Sequence, residues 1–267
     1  MHLDFKLLDD LTLAIARKRL DARSYLSRAA VSRLGPLAEL AILARAKNYH
    51  SMSLDCLPNS ALKEALDRAL SKTGGAGGVH GSSNGGQFGF IATSRDPAAE
   101  DQTEWVAFCR KAQEAAESAG LPKVEAQQLV GALREMEENI QLHSARPDDG
   151  MVGYCATTEA CEFVIADSGI GVLRSLQSCP DYSDLRDGGT ALKIALSDGA
   201  SRFGRTSGHG YGFHGLFVGL ANLSGDLRFR SGDHALTIDG SNLSLLHSRL
   251  DQRAYLQGFV IDRKSVV

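Results

Sequence analysis

Between residues 122 and 144 the apolar positions fall into a helical rhythm. Leu129, Leu133, Met136 and Ile140 are separated by steps of four, three and four, the spacing that puts side chains on one stripe of an α-helix. The pattern predicts a helix from about Pro122 to Ser144. Glu135, Asn139 and His143 follow one another at steps of four beside that stripe, and residues four apart on a helix are neighbours. A carboxylate, an amide and an imidazole are thereby lined up along the edge of a face expected to be buried. A carboxylate can orient or deprotonate a nucleophile, and an amide oxygen can complete the shell of a hard cation such as Mg²⁺.

The same reading extends along the chain. Trp105 to Ala119 is helical in pattern and is closed by Gly120, with Pro122 opening the next helix. Met151 to Ala156 and Ala160 to Ala166 are apolar runs joined at Thr157-Thr158-Glu159, a hairpin whose second strand ends at Asp167. Ala191 to Leu196 is expected to be helical, Ser201 to Ser207 a mobile loop, and Gly212 to Leu223 a helix opened by glycines. Asp226 to Arg230 and Ala235 to Ile238 read as a second hairpin turned by Ser231-Gly232-Asp233, and Gly258 to Ile261 as a last strand. In the first part, His2 to Phe5 reads as a short strand, Leu11 to Leu34 as mostly helical, and Pro36 starts a helix. Met52 to Leu57 alternates with period two, as a strand does. Ser60 caps a helix over Ala61 to Leu70. The predicted organisation is a small α/β domain over 1–73, a Gly-rich linker over 74–95 and a domain of the α+β class over 96–263. The second domain is expected to be a two-layer sandwich with helices on one face of a mixed, mostly antiparallel sheet.

Composition narrows the class. Apolar residues make up 43% of the 267 residues and charged residues 23%, ordinary values for a globular protein. The net charge of -3 argues against a general nucleic-acid or anionic-membrane surface. No apolar run approaches the ~20 residues needed to span a bilayer, and no basic-then-apolar leader opens the chain. The five cysteines contain no Cys-x-x-Cys pair, which fits a reducing cytoplasm better than a disulfide framework or a zinc site. The glycines of 74–89 are not followed by Lys-Ser/Thr, so they form no Walker phosphate loop.

Three motifs occur in order: Glu135-x-x-x-Asn139 on the helix, Asp167-Ser168-Gly169-Ile170-Gly171 after a strand, and Gly208-His209-Gly210-Tyr211-Gly212 before a helix. Taken together they resemble the GHKL ATP-binding superfamily of gyrase B subunits, heat-shock chaperones, histidine kinases and MutL proteins, over roughly residues 100–263. The pattern is closest to the histidine-kinase-like domain of anti-sigma-factor kinases, and the N-terminal part is similar to a STAS-like segment. The resemblance implies a Bergerat-type fold that binds ATP and Mg²⁺. Asp167 would read the adenine amino group, with Gly169 and Gly171 letting the backbone approach the ring. Asn139 would hold Mg²⁺ and Glu135 would activate the attacking group. Gly208, Gly210 and Gly212 would cradle the phosphates and hinge a lid, and Arg202, Arg205 and His209 are candidate phosphate contacts. Tyr211 and Phe213 stand where leucines are common, and Ile140-Gln141 departs from the usual small-then-apolar pair.

The resemblance implies a bacterial-type signalling protein with a protein partner. It would use Mg-ATP for slow hydrolysis or for phosphoryl transfer to a serine-type hydroxyl. The alternative is a non-catalytic nucleotide-sensing module whose lid regulates a partner. A homodimer is one assembly left open. A topoisomerase-type ATPase is disfavoured, because that reading needs a further domain with a phosphate-sensing lysine.

Overall fold

The computed structural model describes residues 1–18, 20–71, 78–83, 86–93, 103–196, 225–239 and 248–266. Six strands form one sheet: β1 (Val79–Ser83), β2 (Gly86–Ala92), β3 (Met151–Ala156), β4 (Ala160–Asp167), β5 (Gly225–Ile238) and β6 (Arg249–Val266). Their order is β1-β2-β3-β4-β6-β5 and every neighbouring pair is antiparallel. The helices are α1 (Phe5–Ala16), α2 (Arg23–Leu26), α3 (Leu34–Ala44), α4 (Ala61–Leu70), α5 (Thr103–Ala119), α6 (Lys123–His143), α7 (Gly171–Gln177) and α8 (Gly188–Leu196). No helix among the described residues is long and apolar enough to cross a membrane.

Both faces of the sheet are covered, so the expected two-layer sandwich becomes three layers. Alternation along β4 shows why. Cys161, Phe163 and Ile165 join the core under α5 to α8, while Val164 and Ala166 join the core under α1 to α4. A strand buried on both sides reads as a continuous apolar run rather than as alternation. The stripe of α6 is buried as expected, with Leu129, Leu133, Met136 and Ile140 each 1% exposed or less.

The N-terminal residues are helical throughout, apart from a single parallel bridge between His2 and Ala30. Asp4, expected inside a strand, instead accepts from the Leu7 N–H and caps α1. The expected strand over 52–57 is a 3-10 turn, Leu54–Cys56, entered by Ser53, whose hydroxyl accepts from the Asp55 N–H. Its apparent alternation comes from a chain that dips into the core at Met52 and Leu57. Within the expected linker, β1 and β2 form a hairpin in which Phe88 and Phe90 enter the N-terminal core. Glycine richness there reflects close packing of strands: a Cβ at Gly89 would lie 2.7 Å from the Tyr154 ring.

The expected hairpin over 226–238 is one strand with a bulge. The register with β6 slips between Ser231 and Gly232 and again between Gly232 and His234, and Gly232 adopts φ +61°. The core-facing positions change from Leu227 and Phe229 to Leu236 and Ile238, odd to even. A bulge inserts an extra residue and reverses which side faces the core. In the sequence that reversal imitates a turn.

Buried charge fastens the N-terminal layer to the sheet. α3 is apolar almost throughout, yet Glu39 at its centre is fully buried. It accepts from Arg230 Nη1 and, at 3.3 Å, from Arg228 Nε. Asp9 of α1 accepts from both arginines at 2.9 and 3.0 Å. Burial pushes the Glu39 carboxyl up, but Arg230 and Arg228 outweigh it and hold the group low. At the start of α3, Glu162 of β4 accepts from the Leu34 and Gly35 N–H groups at 2.9 and 3.2 Å and from Arg33 at 3.0 Å. A carboxylate at a helix N-terminus meets both the free N–H groups and the positive end of the dipole.

Candidate functional site

β4 delivers Asp167 to its carboxyl end on the face shared with α6. There the chain turns sharply and enters α7. Asp167 is 3% exposed, and its Oδ1 accepts from the Gly169 N–H at 2.7 Å. Burial pushes its carboxyl up to about 7; the Gly169 N–H opposes the rise and Asp149 adds to it. A group poised there accepts a hydrogen bond when ionised and donates one when protonated.

The turn is locked to the end of α6. The Ile170 N–H donates to the Ser144 carbonyl oxygen at 2.9 Å, and Ser144 is the C-cap of α6. A Cβ at Gly169 would collide with that same oxygen, so only glycine lets the turn approach so closely. Gly171 has φ +76°, the left-handed region that favours glycine. From beneath, the Ser231 hydroxyl donates to the Gly258 carbonyl at 2.7 Å and accepts from the Val172 N–H at 3.0 Å. Gly258 has φ +88°, and a Cβ there would collide with the Asp167 carbonyl. Sequence reasoning missed Ser144, Ser231 and Gly258, because each acts through backbone contacts between distant segments that leave no local pattern.

Along α6 the edge residues behave differently from one another. Glu135 is half-buried, and burial, then Glu138, raises its carboxyl above the ordinary range. Asn139 is half-buried too, but its Nδ2 is shielded from water and has no hydrogen-bond partner. A buried amide left unsatisfied costs about 1–3 kcal/mol, and such groups mark places where a missing partner belongs. Gln141, the departure from the motif, donates to the Thr93 carbonyl at 2.9 Å and to Glu137 at 3.2 Å. Glu137 is the most buried carboxylate of α6, at 1% exposed, and faces this tie rather than the edge carrying Glu135.

The Asp167 turn, with Gly169 and Gly171, is tied to Ser144 at the end of α6, the helix that also carries Glu135 and Asn139. Gly208, Gly210, Gly212, Arg202, Arg205 and His209 lie outside the described residues.

No family model, curated protein or solved structure matches the chain.

The orphaned Asn139 amide and the buried Asp167 carboxyl are two polar groups that a bound ligand could engage. Among the described residues no group of three or more His, Cys, Asp or Glu side chains is arranged to hold a metal. A Mg²⁺ ion bound here would be held by the Asn139 amide oxygen and would supply charge neutralisation for a phosphorylated ligand.

Proposed function

We propose that this chain is an ATP-binding protein of the GHKL type in a bacterial-type signalling system. It uses Mg-ATP for slow hydrolysis or for phosphoryl transfer to a serine-type hydroxyl of a protein partner. The observation that carries the reading is the tie between Ser144 and Ile170, which fixes the end of α6 against the Asp167 turn. Asp167 accepts from the exocyclic amine of adenine, and Gly169 and Gly171 leave the ring room. Asn139 satisfies its buried amide at the metal-phosphate end. Glu135, with its raised carboxyl, takes the proton of the attacking hydroxyl or water. The bound Mg²⁺ supplies charge neutralisation at the phosphates.

Calorimetric titration with ATP in the presence of Mg²⁺ tests the pocket. Binding by the natural chain and its loss in Asp167→Ala are expected. ATP binding that survives this change in a folded variant overturns the assignment. Labelled ATP then separates the two outputs, since released phosphate without protein label marks hydrolysis. A second reading takes the chain as a nucleotide sensor without turnover. It is favoured by the buried ion pairs that fasten α1 and α3 to the strands supporting the Asp167 turn. Glu135→Gln discriminates: regulation of a partner that persists in this variant assigns the output to binding alone.

A further inference from the structure

The N-terminal layer contains a cleft of about 1010 Å³, remote from Asp167 in sequence and walled by α1, the turn after it, residues 47–51 and Tyr255 of β6. Its walls carry Lys18, Arg23, Lys47 and His50. These come from separate stretches of chain, and Lys18, just after α1, adopts φ +54°. Three cations therefore face one carboxylate, Asp21, whose Oδ1 already accepts from the Arg23 N–H at 3.0 Å.

Several cations elsewhere in this layer are paired with carboxylates. Lys6 binds Asp10 at 3.0 Å, Lys63 binds Asp67 at 2.9 Å and Arg33 binds Glu162 and Asp262 at 3.0 Å. Among the described residues, no ion-pair partner is found for the side chains of Lys18, Arg23 or Lys47. The chain as a whole carries a net charge of -3, so this local positive excess runs against the background. The far wall is fixed, since the buried Tyr49 hydroxyl donates to the Tyr255 carbonyl at 2.8 Å. The Tyr255 side chain itself is 51% exposed at the rim and presents a flat surface beside the cations.

We propose that this cleft is a binding site for a small phosphorylated ligand carrying at least two negative charges. Phosphate oxygens would take the lysine and arginine donors, and the Tyr255 ring would cover whatever flat or sugar-like group the phosphates carry. Binding of this kind is screened by salt over a distance of about 8 Å at physiological ionic strength. This site does not depend on the nucleotide reading of the Asp167 turn.

The test is calorimetric titration of the full chain with inorganic pyrophosphate at low and at physiological salt, without nucleotide. The natural chain is expected to bind, more weakly as salt rises. The exposed double variant Lys18→Glu/Lys47→Glu, checked for an unchanged circular dichroism spectrum, should lose at least about tenfold in affinity. The control Lys6→Glu, an exposed cation outside the cleft, should bind pyrophosphate as the natural chain does. Absence of binding by the natural chain overturns the proposal. So does affinity within twofold in the double variant, or an equal loss in Lys6→Glu.

Discussion

Replacing Asp167 by Asn removes a charge and keeps a shape. The amide oxygen can still accept from the Gly169 N–H, now 2.7 Å from Oδ1. The carboxyl is 3% exposed, and burial lifts it from 3.8 to about 7. Below pH 3.8 both folded and unfolded chains hold the proton, and the full stabilising contribution of the protonated acid is present. Between 3.8 and about 7 only the folded chain holds it, so stability falls as pH rises. Above 7 the contribution is gone, and the folded state carries a buried charge. At about 1.4 kcal/mol per pKa unit, the whole interval is worth about 4 kcal/mol. Asp167→Asn does not titrate, so it should equal the natural chain near pH 4 and exceed it by about 2–4 kcal/mol at pH 8. Urea unfolding of both proteins at pH 4.5, 6 and 8 measures the difference, in which every other titrating group cancels. A difference that stays constant across this range refutes the reasoning. If the pocket reading is right, the same variant loses ATP, because its NH₂ would meet the adenine amine donor to donor. Stability gained with function lost is the signature of a site kept strained for a ligand.

Other perturbations separate packing from chemistry. Asn139→Ala deletes an orphaned buried amide, so ligand-free stability measured by denaturant should fall by less than about 1 kcal/mol, while stabilisation by ATP disappears. Gly169→Ala forces a Cβ onto the Ser144 carbonyl and should cost at least about 2 kcal/mol through loss of the Ile170 tie, read as a lowered urea midpoint. Glu39→Met strips Arg228 and Arg230 of a fully buried partner and should cost about 3–5 kcal/mol, part of which returns in Glu39→Met/Arg230→Met. In that series, equal stability of the single and double variants would mean that the arginine reaches water once Glu39 is removed.

The hairpin of β3 and β4 and the helices α5 and α6 were legible because each has a clean local period and a clear stop. The β3–β4 hairpin matches within one residue, and the stripe of α6 lies in the core as its spacing requires. Asp167 stood out by its place at the end of an apolar run. The N-terminal layer was less legible. A helix such as α3 is apolar on every side because it lies between the sheet and the rest of its layer, so it lacks a polar face to set its phase. The long strand β5 was divided in the reading because its bulge reverses the alternation. The ties through Ser144, Ser231 and Gly258 join a backbone carbonyl or the Ser231 hydroxyl to backbone atoms 26 to 59 residues away in the chain, and no local pattern encodes such a meeting.

The two faces of the sheet are nevertheless not independent. β4 carries Asp167 toward α6 on one face and Glu162 toward α3 on the other. β6 does the same, with Gly258 under the Asp167 turn and Asp262 beside Arg33. Burial, then Glu162, holds the Asp262 carboxyl well above its ordinary range. Just ahead of Gly258, Arg230 donates to the Ala254 carbonyl, Tyr49 to the Tyr255 carbonyl and Gln257 to the Ser168 carbonyl. The segment from Ala254 to Gly258 therefore touches the buried charge network, the cationic cleft and the Asp167 turn in succession. A change of strand position large enough to admit a ligand at one of these places must be absorbed within five residues or passed to the next. Interiors packed at crystal-like density have little slack, so a shift of this segment would be felt at all three places.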